Sequence, residues 1–152
     1  MASNAGLLRE ATKALIDGLG LQLNSGGPIE VKVRKRPDYR KGDGDGVIVV
    51  AGRAVGREVL SAEDGVAYLV KYDITVAVYV PNQAKTIPDD PIADTWRQEI
   101  RLALDQPGAM VGSGFGLSHI DILERPFFAP EALAQNMDYA AIAFSAYVIE
   151  GR

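Results

Sequence analysis

Val66–Val80 reads VAYLVKYDITVAVYV, fifteen residues with no glycine and no proline. Val66, Tyr68, Val70, Tyr72, Ile74, Val76, Val78 and Val80 form an unbroken apolar or aromatic face, whereas Lys71, Asp73 and Thr75 on the alternate positions suit solvent. That period of two predicts a half-buried strand. Fully extended, the stretch spans about 50 Å at about 3.3 Å per residue. A compact domain of this length is only roughly 38 Å across. Such a strand must either bend at a bulge or project past the layer that covers it.

The neighbouring segments supply its partners. VIVVA (Val47–Ala51) and REVLS (Arg57–Ser61) read as a second strand and its continuation, or as two strands, with Glu63-Asp64-Gly65 as the turn into the long one. Upstream, IEVKVR alternates Ile29, Val31 and Val33 against Glu30, Lys32 and Arg34, a further half-buried strand. Downstream, LSHIDILE (Leu117–Glu124) alternates Ile120 and Ile122 against His119, Asp121 and Leu123. MDYAAIAFSAYVIE (Met137–Glu150) is a long closing strand. Its two faces are Tyr139, Ala141, Ala143, Ser145, Tyr147, Ile149 and Ala140, Ile142, Phe144, Ala146, Val148. Both faces are apolar or small. A sheet covered by helices on one side would leave the second such face as an interaction patch.

Two helices complete the set. Leu7, Leu8, Ala11, Leu15, Ile16 and Leu19 recur at helical spacing, with Ser3 or Asn4 as the cap and Gly18 and Gly20 as the stop. Ile92, Trp96, Ile100 and Leu104 form one stripe of a second helix, preceded by Asp90 as N-cap with Pro91 at the first helical position, and closed by Gln106-Pro107. Pro130–Ala134 adds a short helical turn. The expected fold is one α+β domain over residues 1–152: a mostly antiparallel sheet, two amphipathic helices on one face and a long projecting β-hairpin.

Composition bounds the function. The chain has 152 residues, a net charge of −4 and no cysteine, so disulfides, thiolate metal sites and cysteine nucleophiles are excluded. No apolar run reaches membrane-spanning length, and the N-terminal stretch lacks the pattern of a signal peptide, so a soluble protein is expected. His119 is the sole histidine. Gly112-Ser113-Gly114 resembles a nucleophile elbow, but Val111 stands where the motif needs glycine. GSGFG lacks the lysine and helix start of a phosphate loop, and Asp43-Gly44-Asp45-Gly46 lacks the remaining ligands of a calcium loop. Asp89-Asp90 is explained by helix capping. No catalytic residue, cofactor or metal site is expected.

Charge is uneven. Lys32, Arg34, Lys35, Arg36, Arg40 and Lys41 place six cations within ten residues, with Asp38 as the one acid among them. The block is either a solvated loop or a contact for an acidic surface, a neighbouring subunit or phosphates. With Tyr39 as its one aromatic, it does not describe a stand-alone DNA binder.

A helix, a strand, a long hairpin, a helix of the form TWRQEIRLAL and two closing strands ending in DYAAIAFSAYV resemble the tail terminator (tail completion or neck) proteins of long-tailed bacteriophages. The resemblance covers nearly the whole chain and rests on size, element order and pattern. It implies a non-enzymatic virion protein made in the host cytoplasm, whose subunits form a six-fold ring that caps the tail tube and docks it to the head–tail connector protein. DNA would pass through the lumen without specific binding, and no cofactor or membrane would be involved. The GAMVGSGFG and RPFFAPEALAQN segments depart from the family pattern as longer insertions. Candidate subunit or docking contacts are Lys32, Arg34, Lys35, Arg36, Arg40 and Lys41, with Tyr68, Tyr72, Tyr139 and Tyr147 on the long strands. The alternatives are another neck component, such as a head completion or head–tail joining protein, and a small α+β ligand-binding or regulatory domain.

Overall fold

In chain order the elements are α1 (Asn4–Asp17), β1 (Glu30–Arg34), β2 (Val47–Leu60), β3 (Ala67–Pro81), α2 (Ile92–Leu104), β4 (Leu117–Leu123) and β5 (Met137–Gly151). They come from a computed structural model that describes residues 4–21, 29–36, 46–60, 67–81, 92–106, 116–123 and 137–151. The expected turn at 63–65, the cap at Asp90-Pro91 and the helical turn at Pro130–Ala134 lie outside the described residues.

The five strands form one sheet in the order β1-β2-β3-β5-β4. β3, the long stretch, is the central strand. It pairs antiparallel with β2 from Val47↔Tyr79 to Leu60↔Ala67 and with β5 from Ala67↔Gly151 to Pro81↔Met137. VIVVA and REVLS are therefore one continuous strand, with a register shift between Ala54 and Gly56. The extra residue, Val55, belongs to β2, while β3 itself pairs with β5 over its whole length without a shift. The β2–β3 hairpin is not a free two-stranded arm, because β5 accompanies β3 along its full length.

One pairing departs from the expected antiparallel pattern. β1 lies parallel to β2, from Glu30↔Val47 to Arg34↔Ala51. Residues 35–46 between them are long enough for the crossover that parallel strands require, whereas a tight hairpin would have forced the opposite direction.

Helix α1 buries Leu8, Thr12 and Ile16, four residues apart on one stripe. The Thr12 hydroxyl donates to Leu8 O at 2.7 Å, which satisfies a polar group that is fully buried. Gly18 N and Leu19 N return to Ala14 O and Ile16 O, and Gly20 takes a φ of 65°, the left-handed conformation that ends helices cheaply. Trp96, Ile100 and Leu104 of α2 are buried as their spacing requires. Both helices pack on one sheet face. The shared core joins Leu8, Ile16, Trp96, Ile100 and Leu104 to Ile48 and Val50 of β2, Val70–Val78 at every second position of β3, and Ala140, Ile142, Phe144, Ala146 and Val148 of β5.

The opposite face was expected to be exposed, and for half the sheet it is not. Val47, Val49, Ala51, Ala77, Tyr79, Ala141, Ala143 and Ser145 project there and are all buried. VIVVA is thus buried on both faces, as a continuous apolar run rather than an alternating one permits. Beyond Gly52 the strand changes character: Arg53 to Val59 are all exposed.

Candidate assembly surface

The exposed part of β2 follows from the short length of β1. β1 covers the outer side of β2 only as far as Ala51. Past that point β2 has β3 on one side, and among the described residues no strand pairs with the other. An edge of this kind offers unpaired backbone groups for the addition of another strand. Val55 and Val59 lie along it, 44% and 64% exposed, and Ile149 of β5 is 49% exposed at the same end of the sheet. Three apolar side chains at this exposure, concentrated on one end, distinguish it from the buried end.

Gly52 marks the boundary. A Cβ there would stand 2.2 Å from Ile74 Cδ1 and 3.2 Å from Asp73 O, so any larger residue must push the Ile74 side chain aside at this row. Arg9 of α1 reaches across to donate from Nη1 to Gly52 O at 2.8 Å, where β1 has ended. Its Nε is buried without a hydrogen-bond partner.

The polar groups near the exposed end are mostly engaged within the chain. Ser145 Oγ donates to Asp73 Oδ1 at 3.0 Å. The His119 ring stacks on Tyr147 with centroids 4.3 Å apart, and the Arg57 guanidinium lies 4.7 Å above the Tyr68 ring. Tyr72 is 5% exposed and its hydroxyl donates to Glu150 Oε1, which also accepts from Asn4 Nδ2 at 2.6 Å. Burial, followed by the bond to the Glu150 carboxylate, pushes the Tyr72 hydroxyl pKa well above its ordinary value. This cluster ties the start of α1 to β3 and to the end of β5.

The residues singled out in the sequence therefore divide. Tyr72 is a core residue and is removed from the surface candidates. Tyr147 is half-buried under His119, and Tyr68 is half-buried under Arg57. Lys32 is bound to Glu30 at 2.9 Å across one face of β1, and Arg34 ends that strand. Lys35 and Arg36 are exposed just beyond it. Arg40 and Lys41, and the side chain of Tyr139, lie outside the described residues. Sequence reasoning did not single out Arg53, Val55 and Val59, which the structure exposes along this edge. Two valines among the charges of GRAVGREVL were the available signal.

Other features offer little chemistry. Among the described residues no group of three His, Asp or Glu side chains converges to hold a metal ion. A surface depression on α2 is lined by Arg97, Gln98, Arg101, Leu102 and Asp105, and Arg97 Nε is committed to Ala141 O at 2.6 Å. No helix among the described residues is long and apolar enough to cross a membrane. Compared with known proteins, the chain matches no family model and no curated sequence.

Proposed function

We propose that the chain is a structural subunit that assembles head-to-tail into a closed ring, in the manner of a phage tail terminator that caps the tail tube and meets the head–tail connector. The observation that carries this reading is the edge of β2 from Arg53 to Val59, exposed on both faces and accompanied by Val55 and Val59. An unpaired edge with exposed apolar side chains is a liability in a monomer and an asset in an assembly. Contacts that join this edge to a different edge of the next copy are heterologous, and heterologous contacts form a ring when the rotation between copies closes. The order of elements and the resemblance to tail terminators supply the kind of ring.

In this reading the basic residues after β1 sit at a seam or docking rim, and DNA crosses a lumen that does not hold it. The test is the mass of the purified chain in solution, with negative-stain images. A six-fold ring with a central hole is the expected result, with no tight binding to duplex DNA at physiological salt. A particle of one-subunit mass at all accessible concentrations overturns the ring. Strong, salt-sensitive DNA affinity that is lost when Arg34, Lys35 and Arg36 are changed to Glu would replace a terminator with a DNA-contacting neck protein.

A further inference from the structure

The sheet has two ends, β4 on one side and the uncovered part of β2 on the other. Following the paired residues across the sheet shows that these two edges lie at the same height. Leu123 is level with Ala143, Thr75 and Ala51; Ile122 with Phe144, Ile74 and Gly52; Asp121 with Ser145, Asp73 and Arg53; Ile120 with Ala146, Tyr72 and Ala54. After these four uninterrupted rows each edge gains an extra residue, one row apart: between Ala54 and Gly56 in β2, and between Leu117 and His119 in β4. β4 begins level with Arg57 and ends level with Ala51, the last residue that β1 pairs, so all of β4 but its final residue matches the stretch of β2 beyond β1, where Arg9 holds Gly52 O in the single chain.

Direction agrees as well. Each step from β2 through β3 and β5 to β4 is antiparallel, so β4 runs opposite to β2. Rotation about an axis along the strands preserves both height and direction. It brings the β4 of one subunit antiparallel to the free edge of β2 in the next, without a shift along the axis.

We infer that the ring seam is a β2–β4 pairing between two copies of this chain, with Asp121 of one subunit beside Arg53 of the next. The inference rests on the ring reading above. Residues paired across strands share a face, so Arg53, Asp73, Ser145 and Asp121 all project on the side away from the helices. Asp121 is exposed and has no ion-pair partner among the described residues. At the seam it meets Arg53, which then stands between two carboxylates, Asp73 of its own sheet and Asp121 of the neighbour.

The absence of cysteine makes the test direct. Within one chain, Arg53 and Asp121 are separated by β3 and β5, about 14 Å at roughly 4.8 Å per strand. A disulfide needs Cα atoms within about 7 Å. Directly opposed residues of neighbouring antiparallel strands, at about 4.5–5.5 Å, meet that condition. The full-length double variant Arg53→Cys/Asp121→Cys, oxidised, is expected to give a ladder of covalent multimers that ends at the subunit number of the ring. Charge reversal provides a second measurement. Arg53→Asp and Asp121→Arg should each lower the ring fraction at least tenfold at the midpoint concentration of the unmodified chain, and the double reversal should restore it. Rings of unchanged mass in both single reversals, with no covalent ladder from the cysteine pair, overturn the seam while leaving the ring intact. A monomeric unmodified chain overturns both.

Discussion

Two halves of one strand make opposite uses of the same backbone. Val47–Ala51 is buried on both faces and flanked on both sides, whereas Arg53–Val59 is exposed on both faces and flanked on one. β3 accompanies both halves, so pairing on that side does not make the difference. It lies in what the side chains can exchange with water. Four consecutive β-branched apolar residues remove their surface from solvent, at about 25 cal/mol per Å². Arg53, Arg57 and Glu58 would have to shed hydration to be buried. Where the apolar run stops, so does the layer that covers it.

The largest expected effect tests the helix layer over the neighbouring strands β3 and β5. Replacing Trp96, 3% exposed, with Ala should lower the unfolding free energy by about 3–5 kcal/mol in chemical denaturation. An unmoved midpoint would mean that the α2 stripe does not seal the sheet.

A paired measurement within β2 sharpens the contrast. Ile48→Ala, at a fully buried site, should cost about 2–5 kcal/mol. Val59→Ala, at 64% exposure, should stay within about 0.5 kcal/mol in the isolated subunit. Equal losses would erase the distinction between the halves. Amide exchange provides the same comparison without mutation: slow at Ile48 and Val50, and faster along the outer side of Arg53–Val59 in the isolated subunit.

Gly52→Ala attacks the boundary itself. The added methyl must displace Ile74 Cδ1 within a closed core, and the cost should be about 1–3 kcal/mol. A neutral result would show that the row can open without penalty.

The smallest effect concerns the cluster of Tyr72, Glu150 and Asn4. The folded-state pKa of Tyr72 is raised above the ordinary value near 10, so the fold favours the neutral hydroxyl. Its contribution is intact below about pH 10 and is lost as pH rises through the folded value. Tyr72→Phe should cost about 1–2 kcal/mol near neutrality and should flatten the loss of stability above about pH 10. An unchanged alkaline limb would place the titrating group elsewhere.

Much of this architecture was legible in the sequence. Period-two alternation found the long strand, and helical spacing found the stripe of Trp96, Ile100 and Leu104, because burial imposes both patterns directly. The glycines of AGRAVG suggested a break, yet β2 runs through them. Gly52 makes room for Ile74, and Gly56 follows the residue that the bulge adds, so neither marks a turn. The parallel direction of β1 depends on the path of residues 35–46, which composition does not encode. VIVVA carried the signal of two-sided burial in its lack of alternation. The free edge was not legible, because it exists only through the five-residue length of β1 and the register that places its end at Ala51. The partner of Tyr72 lies 78 positions away, beyond the reach of any local pattern.

The central position of β3 also has a consequence in time. Its partners in β5 are 56 to 84 residues away in sequence. Pairings at such separation close large loops before they return any contact energy, and folds built on them typically need milliseconds to seconds. Until β5 arrives, one side of an apolar fifteen-residue strand is open to any other nascent chain. The yield of native subunits should therefore depend on how crowded the growing chains are, with sparser nascent chains favouring β5 over a stranger.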